Sequence, residues 1–566
     1  MKLFPNLFQG CEWHYLPQRQ LRFRAIQIIG TTTVETMPLQ LTDLLSNGYF
    51  PKELPPPFTT ASYAQALAGP GATAPAGAIA APPHYSMQYT HNLVRIGGLR
   101  RNLGVPNPKH FFRLAEHITR HWTNFTAFTT GSPYSLTKPV DGRPDRAITP
   151  EHSLGERTSF RARLRSPARF ILKADISRFF PSIYTHSIPW ALMGKAAAKA
   201  AHAARTLSGT WEDTTDVLVR STTNNQTVGI PIGPDTSRLL AEVVLSRVDV
   251  ELAGRVAGLR GIRYIDDYEF AFATRSEAEQ TLSHLQHLLN EFELALNPSK
   301  TAILELPEGF DPAWTGKIRL FPFRKAGTKG QRNDLTAYFD MVFALLKQFP
   351  DEVLLKYAIA RLRDQEIQPA NLRLFENILS HCVIIEPACL PQVCDQIVYY
   401  LGKGYPPRAA LWDECLNRII YERVPLGQSS EAVWAMWLLK ILNIRLTSNS
   451  EQAINNSEDS TVALMGLGLA TLGMANPASF IALHRFGNAA HLYQHQWLLC
   501  YQGNYMGWLG PASGRAVLRT DPVMQYLESQ NVSFFDISVP APAPVRHGLL
   551  LVGGGGGNYE DMLLQR

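Results

Sequence analysis

Apolar and polar positions change texture twice along this 566-residue chain. In the first structured stretch, short apolar runs alternate with longer amphipathic ones. "RFILKADISRFF" predicts a buried strand ending in a turn, and "PWALMGKAAAKAAHAAR" predicts a helix after it. "SRLLAEVVLSRVDVELAG" and "EAEQTLSHLQHLLNEFELAL" repeat apolar residues at helical spacing, whereas "GIRYIDDYEFAFAT" reads as two short strands joined at paired aspartates. Strands and helices mixed in this way predict an α+β layer, a small antiparallel sheet backed by helices. From about residue 333 the strand pattern stops. "LTAYFDMVFALLKQF", "EVLLKYAIARL", "NLRLFENILSHCVII", "LPQVCDQIVYYLGKG", "AALWDECLNRIIYE" and "AVWAMWLLKILNIRL" follow one another as amphipathic helices separated by polar or proline-bearing turns.

A chain this long exceeds one ordinary hydrophobic core, which predicts several domains. Residues 1–83 read as an N-terminal extension whose Ala/Gly/Pro-rich part, 61–83, is expected to be an irregular loop. Residues 84–326 hold the α+β region. Residues 327–535 are expected to be all-α, with helix pairs resembling HEAT repeats or, equally, an irregular helical domain. Residues 536–566 form a Pro/Gly-rich tail with five consecutive glycines.

Composition narrows the class. A hydrophobic content of 45% with 18% charged residues excludes a disordered chain. The net charge of +6 is too small to demonstrate a nucleic-acid partner by itself. Its distribution says more: Arg157, Arg161, Arg163, Arg165, Arg169, Lys173 and Arg178 crowd one stretch. That stretch is either a solvated basic face or a surface that meets phosphates. The six cysteines contain no CxxC pair and no zinc spacing, so they read as buried thiols of a reducing cytoplasm. "MKLFPNLFQGCEWHYL" lacks the apolar core of a signal peptide, and no apolar run reaches the ~20 residues a bilayer requires. The expectation is a cytoplasmic protein with no membrane partner.

The chemistry gathers at Asp266 and Asp267. Two adjacent aspartates usually mark a surface turn, but Tyr264, Ile265, Tyr268 and Phe270 around them predict a buried hairpin. Buried carboxylates without cations are costly, so they are either protonated or hold metal. Hard oxygen donors with few histidines nearby favour Mg²⁺ over zinc. Asp175, at the end of "FILKAD", either caps the helix that follows or supplies a third carboxylate. Carboxylates from two neighbouring strands sharing two ions would serve in-line phosphoryl transfer. Between these strands, Gly229 and Gly233 bracket Pro231 and open a helix, which lets backbone approach a flat ligand.

In order, "ADISRFFPSIYTH", "GIPIGPDTSRLLAE", "YIDD" and "LNPSKT" resemble motifs A, B, C and D of reverse transcriptases over roughly residues 170–302. Upstream, "RIGGLRRNLGVPNPKHFFRLAEHI" resembles the fingers of the prokaryotic enzymes. "SIYTHSIPWALMGK" and the helical second half resemble the abortive-infection AbiK branch and related defence-associated reverse transcriptases. The resemblance implies fingers and palm over 84–326, with a HEAT-like domain where the usual thumb would stand. It implies that Asp175, Asp266 and Asp267 are catalytic and bind two Mg²⁺ ions (Mn²⁺ being the alternative), helped by the Ile176 carbonyl. Arg100 and Arg101 match positions that contact the incoming triphosphate, and Lys300 matches the motif D lysine. Gln226, Gly229, Pro231 and Gly233 would shape the nucleotide and template pocket. Phe180 matches the steric gate that prefers dNTPs over rNTPs, or else is a core aromatic beside Phe179.

The resemblance also implies a bacterial anti-phage enzyme that polymerises dNTPs without a template. Its DNA product would be attached to a priming tyrosine, and the protein would form a homo-oligomer. Tyr49, Tyr184 and Tyr268 are among many candidates for that primer, and none stands out. A second reading is an RNA-templated enzyme using a cognate non-coding RNA, which would be encoded outside this chain. The lack of a clear thumb after motif D departs from templated relatives and counts against ordinary template–primer handling. A third is an idle nucleic-acid-binding or assembly scaffold; three retained aspartates argue against it, because an unused buried acidic cluster only destabilises.

Overall fold

The structure is a computed structural model that describes residues 39–95, 99–143, 146–323, 327–510 and 514–542. The N-terminal stretch with Cys11 and the five-glycine tail therefore lie outside the described residues. At the centre is a four-stranded antiparallel sheet built from β5 (Phe170–Asp175), β6 (Arg260–Tyr264), β7 (Asp267–Phe272) and β8 (Ala302–Glu305), in the order β6-β7-β5-β8. The two strands expected in "GIRYIDDYEFAFAT" are β6 and β7, joined by Ile265 and Asp266 alone. β8 carried no strand signal of its own; it pairs with β5 at the sheet edge, from Phe170 opposite Glu305 to Lys173 opposite Ala302.

Side-chain alternation along β5 and β7 sorts the sheet into two faces. Leu172, Ala174, Tyr268, Phe270 and Phe272 belong to the main core. Behind them pack the helices Asp235–Arg255 and Arg275–Glu291. The first of these is buried along most of its length, with Glu242 and Asp249 buried among its apolar residues. Its first-turn carboxylate, Asp235, accepts from the N–H groups of Ala147 and Ile148, each at 3.0 Å, and pairs with Arg146. The second helix starts with a reciprocal capping box between Thr274 and Glu277. Ile171 and Ala271, on the opposite face, join a smaller cluster with Leu136, Leu164, Ile262 and Tyr264. The helix Arg157–Arg165 covers that face.

Two hairpins precede the sheet. β1 (Tyr89–Val94) and β2 (Arg100–Val105) pair from Tyr89 opposite Val105 to Val94 opposite Arg100. β3 (Pro139–Arg143) pairs with β4 (Arg146–Pro150). The expected helix through "PWALMGKAAAKAAHAAR" is two, Ser187–Met193 and Lys195–Ala203. They are broken at Gly194, whose φ of +90° a non-glycine residue would resist.

The stretch 61–83 is not the irregular loop its composition suggested. It contains the helices Ala61–Ala68 and Ala76–Ala80, with Tyr63, Leu67 and Ile79 buried. Small residues allow close packing here, and Tyr526 donates its hydroxyl to the carbonyls of Ala66 and Thr73, both at 3.0 Å.

After residue 327 the described chain is helical, and each of the six amphipathic segments forms a helix, from Gly327–Gln348 to Ser429–Leu442. This half braces the first hairpin. Asn92 and Val94 donate their N–H groups to the hydroxyls of Ser429 and Ser430, at 3.1 and 3.0 Å. The Trp497 indole donates to the Val105 carbonyl at 3.0 Å. Cys382, Cys389, Cys394, Cys415 and Cys500 are free and buried, and burial pushes their thiols up.

Candidate active site

The antiparallel register sets Asp175, last in β5, directly opposite Asp267, first in β7. Residues opposite one another share a face, so the two carboxylates meet at one end of the sheet. Asp266 occupies the two-residue turn beside them. Ile265, the other turn residue, has φ +57°, a left-handed conformation that a β-branched side chain strongly disfavours. Strain of this kind persists only where the surroundings over-determine it. Here the Ile265 N–H donates to the Thr137 hydroxyl at 3.2 Å, and the Ile265 carbonyl accepts from Arg263 at 2.8 Å.

Arg263 is wholly buried. Its guanidinium donates to Glu242 at 2.6 and 3.0 Å and to Asp249 at 2.7 and 2.9 Å. Thr137 completes the loop by donating to Glu242 at 3.0 Å, while Tyr268 donates to Asp249 at 2.9 Å. Burial raises both carboxyls. For Glu242 the attraction of Arg263 and its hydrogen bonds outweigh burial and hold it low; for Asp249 burial wins and it stays raised. A buried ionic network thus clamps the turn that presents Asp266.

The acidic cluster is electrostatically unsatisfied. Burial, then the charges of Asp267 and Asp175, push the Asp266 carboxyl up to about 7. Burial raises Asp175 as well, against the pull of Lys300. Lys300 Nζ lies 3.3 Å from Asp175 and Asn297 donates to it at 3.0 Å, while Arg157 sits 3.3 Å from Asp267. These partners offset part of the charge on Asp175 and Asp267. Among the described residues, no three acidic, histidine or cysteine side chains close into an ion cage. The donor set nonetheless fits a hard divalent cation: three carboxylates converge at a strand end, and their mutual repulsion is what such an ion would relieve.

The first hairpin faces this cluster. On β2 adjacent side chains point opposite ways, and Arg100 and Arg101 part accordingly. Arg100 makes a two-pronged contact with the buried Glu431, both bonds at 2.8 Å, and so ties the hairpin to the helical half. Arg101 lies within the field of Asp266, joined by Arg95, which feels both Asp175 and Asp266. Arg95 opens the stretch that resembles the fingers, where only Arg100 and Arg101 matched triphosphate-contacting positions.

Phe179 is in the core and Phe180 is only half-buried, its ring 5.5 Å from that of Phe179. Of the pair, Phe180 is the ring with surface to offer. Gly229 has φ +90°, and a Cβ there would stand 3.1 Å from the Pro181 carbonyl oxygen. Its N–H donates to the Ile183 carbonyl at 2.8 Å. Gly233 has φ +129° and no room for a Cβ beside Pro51. Pro231 is buried against Gly104 of β2, and Gly104 donates its N–H to the Ile232 carbonyl at 2.8 Å. This glycine–proline loop therefore bridges the turn after β5 to the first hairpin, while Gln226 is exposed at its start. Ile176 forms an isolated bridge with Leu296, bringing "LNPSKT" alongside Asp175.

The basic stretch divides: Arg163, Arg169 and Arg178 are exposed, whereas other members are taken up by carboxylates. Arg161 and Arg165 both donate to Glu269, at 2.9 and 2.7 Å, and Arg169 pairs with Glu305. Alternation puts Glu269 on the same face as Asp267, and helix Arg157–Arg165 neutralises that acidic stripe.

Residues 133–326 match the family described as Reverse transcriptase (RNA-dependent DNA polymerase). The chain carries an RNA-directed DNA polymerase-type nucleotidyltransferase domain. Enzymes with this domain generally use divalent metal ions. No curated protein matches the chain. Among solved structures, it is similar to apo telomerase from Candida tropicalis at 10% identity and a TM-score of 0.30, over 64% of this chain and 66% of that one. A form of that telomerase truncated from its C-terminal domain matches at 12% identity and a TM-score of 0.29, over 40% of this chain and 52% of the other. Telomerase from Candida albicans in complex with a TWJ fragment of telomeric RNA matches at 11% identity and 0.27, over 63% and 65%. The chain thus spans between half and two thirds of the length of these structures.

Proposed function

We propose that the polymerase domain extends DNA from dNTPs in a Mg²⁺-dependent, two-metal reaction, with Asp175, Asp266 and Asp267 as the metal ligands. The observation that carries this reading is the register of β5 against β7, which brings Asp175 and Asp267 together beside Asp266. Two bound ions would activate the attacking hydroxyl and stabilise the leaving pyrophosphate. The chain's own residues do the rest. The Arg263 clamp keeps Asp266 in place, Arg95 and Arg101 offer guanidinium groups to a triphosphate, and Phe180 is the ring that would refuse a 2′-hydroxyl.

The finer reading is a cytoplasmic anti-phage polymerase of the AbiK-like prokaryotic group that works without a template, primes from a tyrosine and assembles as a homo-oligomer. Support for it comes from the motif order and from a helical second half that braces the first hairpin. Of the three tyrosines singled out, Tyr49 is buried with its hydroxyl donated to Pro106, and Tyr268 is buried on Asp249. Tyr184 alone of these is partly exposed. The alternative, copying a cognate non-coding RNA, uses the same site.

Incubating purified protein with Mg²⁺ and labelled dNTPs, without added nucleic acid, separates the readings. Label that survives nuclease but not protease supports tyrosine priming, and label that depends on co-purified RNA supports templating. Equal, absent incorporation by wild type and Asp266→Ala sinks both.

A further inference from the structure

A recess lies beside the turn that follows β5. It is a trough of about 850 Å³ lined by Arg178, Pro181, Tyr184, Trp190, Val228 and Ala295. Much of this lining is exposed: Val228 shows 58% of its surface to solvent, and Arg178, Pro181 and Ala295 are open too. An enclosed small-molecule site would bury such groups, whereas an open trough suits a polymer lying across it. Its chemistry is aromatic and cationic together. The rings of Tyr184 and Trp190 lie 5.4 Å apart, with Lys195 and Lys199 placed 4.4 and 5.6 Å from the Trp190 ring centre. Lys195 also donates to the Glu291 carbonyl, while Lys199 is exposed. The lining itself carries one cation, Arg178, and one carboxylate, Glu293, while Lys195 and Lys199 stand beside it over the Trp190 ring.

Position adds to composition. Arg178 follows Asp175 by three residues, so their Cα atoms are at most about 11 Å apart. Arg178 itself is held in the left-handed conformation at φ +46°, which turns the chain sharply between the acidic cluster and the trough. The same short turn thus carries a metal-ligand candidate on one side and an aromatic, basic recess on the other.

We propose that this trough binds single-stranded nucleic acid next to the catalytic cluster. Bases pack against Tyr184 and Trp190 over the apolar floor of Pro181 and Val228, and flanking phosphates lie on Lys199 and Arg178. The inference rests on the polymerase reading for its purpose but not for its test, because strand binding needs no catalysis.

The test uses the full chain in EDTA with fluorescein-labelled oligothymidylate and oligouridylate, read by anisotropy across a salt series. Lys199→Glu and Val228→Glu alter exposed positions and leave folding alone. Each is expected to weaken binding on the order of tenfold, about 1.4 kcal/mol. Lys199→Glu should also flatten the salt dependence by about 0.7 in slope. Tyr184→Phe keeps the ring and should bind as wild type does. Asp266→Ala should bind as well, and 4-thiothymidine crosslinks should map to the segments bearing Tyr184 and Val228. Preference for either oligonucleotide identifies the strand, and equal binding assigns single strands of both kinds. Wild-type affinity in both Lys199→Glu and Val228→Glu, or crosslinks confined to other segments, overturns the trough. If wild type incorporates no dNTP while these variants lose binding, the trough stands and the polymerase reading falls.

Discussion

Replacing Arg263 by methionine tests whether the buried network serves the catalytic turn or only the fold. The side chain is fully buried and makes five hydrogen bonds: two to Glu242, two to Asp249 and one to the Ile265 carbonyl. Its loss strands two buried carboxylates, and breaking a buried pair from one side costs about 3–5 kcal/mol. Domains of ordinary stability hold only about 5–15 kcal/mol, so Arg263→Met is expected to shift the urea midpoint sharply or unfold the palm. The informative variant is the triple Arg263→Met/Glu242→Gln/Asp249→Asn, which removes the charges together. Exchanging a whole buried ionic cluster for neutral groups is often close to neutral in stability, so the triple should recover to within about 2 kcal/mol of wild type. It should not recover activity. The Ile265 carbonyl still lacks its donor, and the strained turn, which costs about 1–3 kcal/mol to hold, is free to relax and carry Asp266 away. Steady-state dNTP incorporation should show kcat down at least about tenfold with KM for dNTP little changed, a barrier increase of about 1.4 kcal/mol. A triple variant that is stable and has wild-type kcat refutes the positioning argument.

Three further outcomes are expected. The raised Asp266 carboxyl favours the folded state while protonated; that contribution is complete below its ordinary value of 3.8 and is lost as pH rises through about 7. Metal-free protein should therefore lose up to about 4 kcal/mol of stability across that window. Asp266→Asn should flatten the loss, as read from melting temperature against pH. Arg157 competes with a cation for Asp267, which is itself 45% exposed, so the pair adds no more than about 1 kcal/mol to stability. Arg157→Ala should leave the melting temperature nearly unchanged and lower the Mg²⁺ concentration needed for half-maximal incorporation. Arg100→Ala leaves Glu431 buried without its two-pronged partner, and is expected to destabilise by about 3 kcal/mol in urea titrations. An unchanged midpoint would show that the helical half does not depend on this tie.

The central strands and the helices were legible because each obeys a local period. Ile171, Leu172 and Ala174 before Asp175, and Tyr268 and Phe270 after Asp267, mark strands that are covered on their core face. The helix Asp235–Arg255 is readable from the same kind of repetition. β8 was not legible, since "AILE" becomes a strand only by pairing with β5 at the sheet edge. The Ala/Gly/Pro-rich stretch misled for a related reason. Its small residues carry no amphipathic signal, and its helices are held by distant partners such as Tyr526.

By itself, the sequence determined which groups this protein could use: three aspartates at predicted strand ends, a glycine–proline loop, a lysine after them, and an order of motifs that resembles one enzyme class. Residue type and local spacing suffice for that, because both are properties of neighbours along the chain. Tertiary structure decided what each charge faces. Alternation on β2 sent Arg100 to Glu431 and left Arg101 with Asp266; Arg161 and Arg165, whose stretch read as either a solvated face or a phosphate surface, were taken by Glu269. It also placed a fully buried arginine beneath the turn of Asp266. Coulomb attraction and burial depend on distance in space, and no spacing along the chain reports that distance between residues a hundred positions apart.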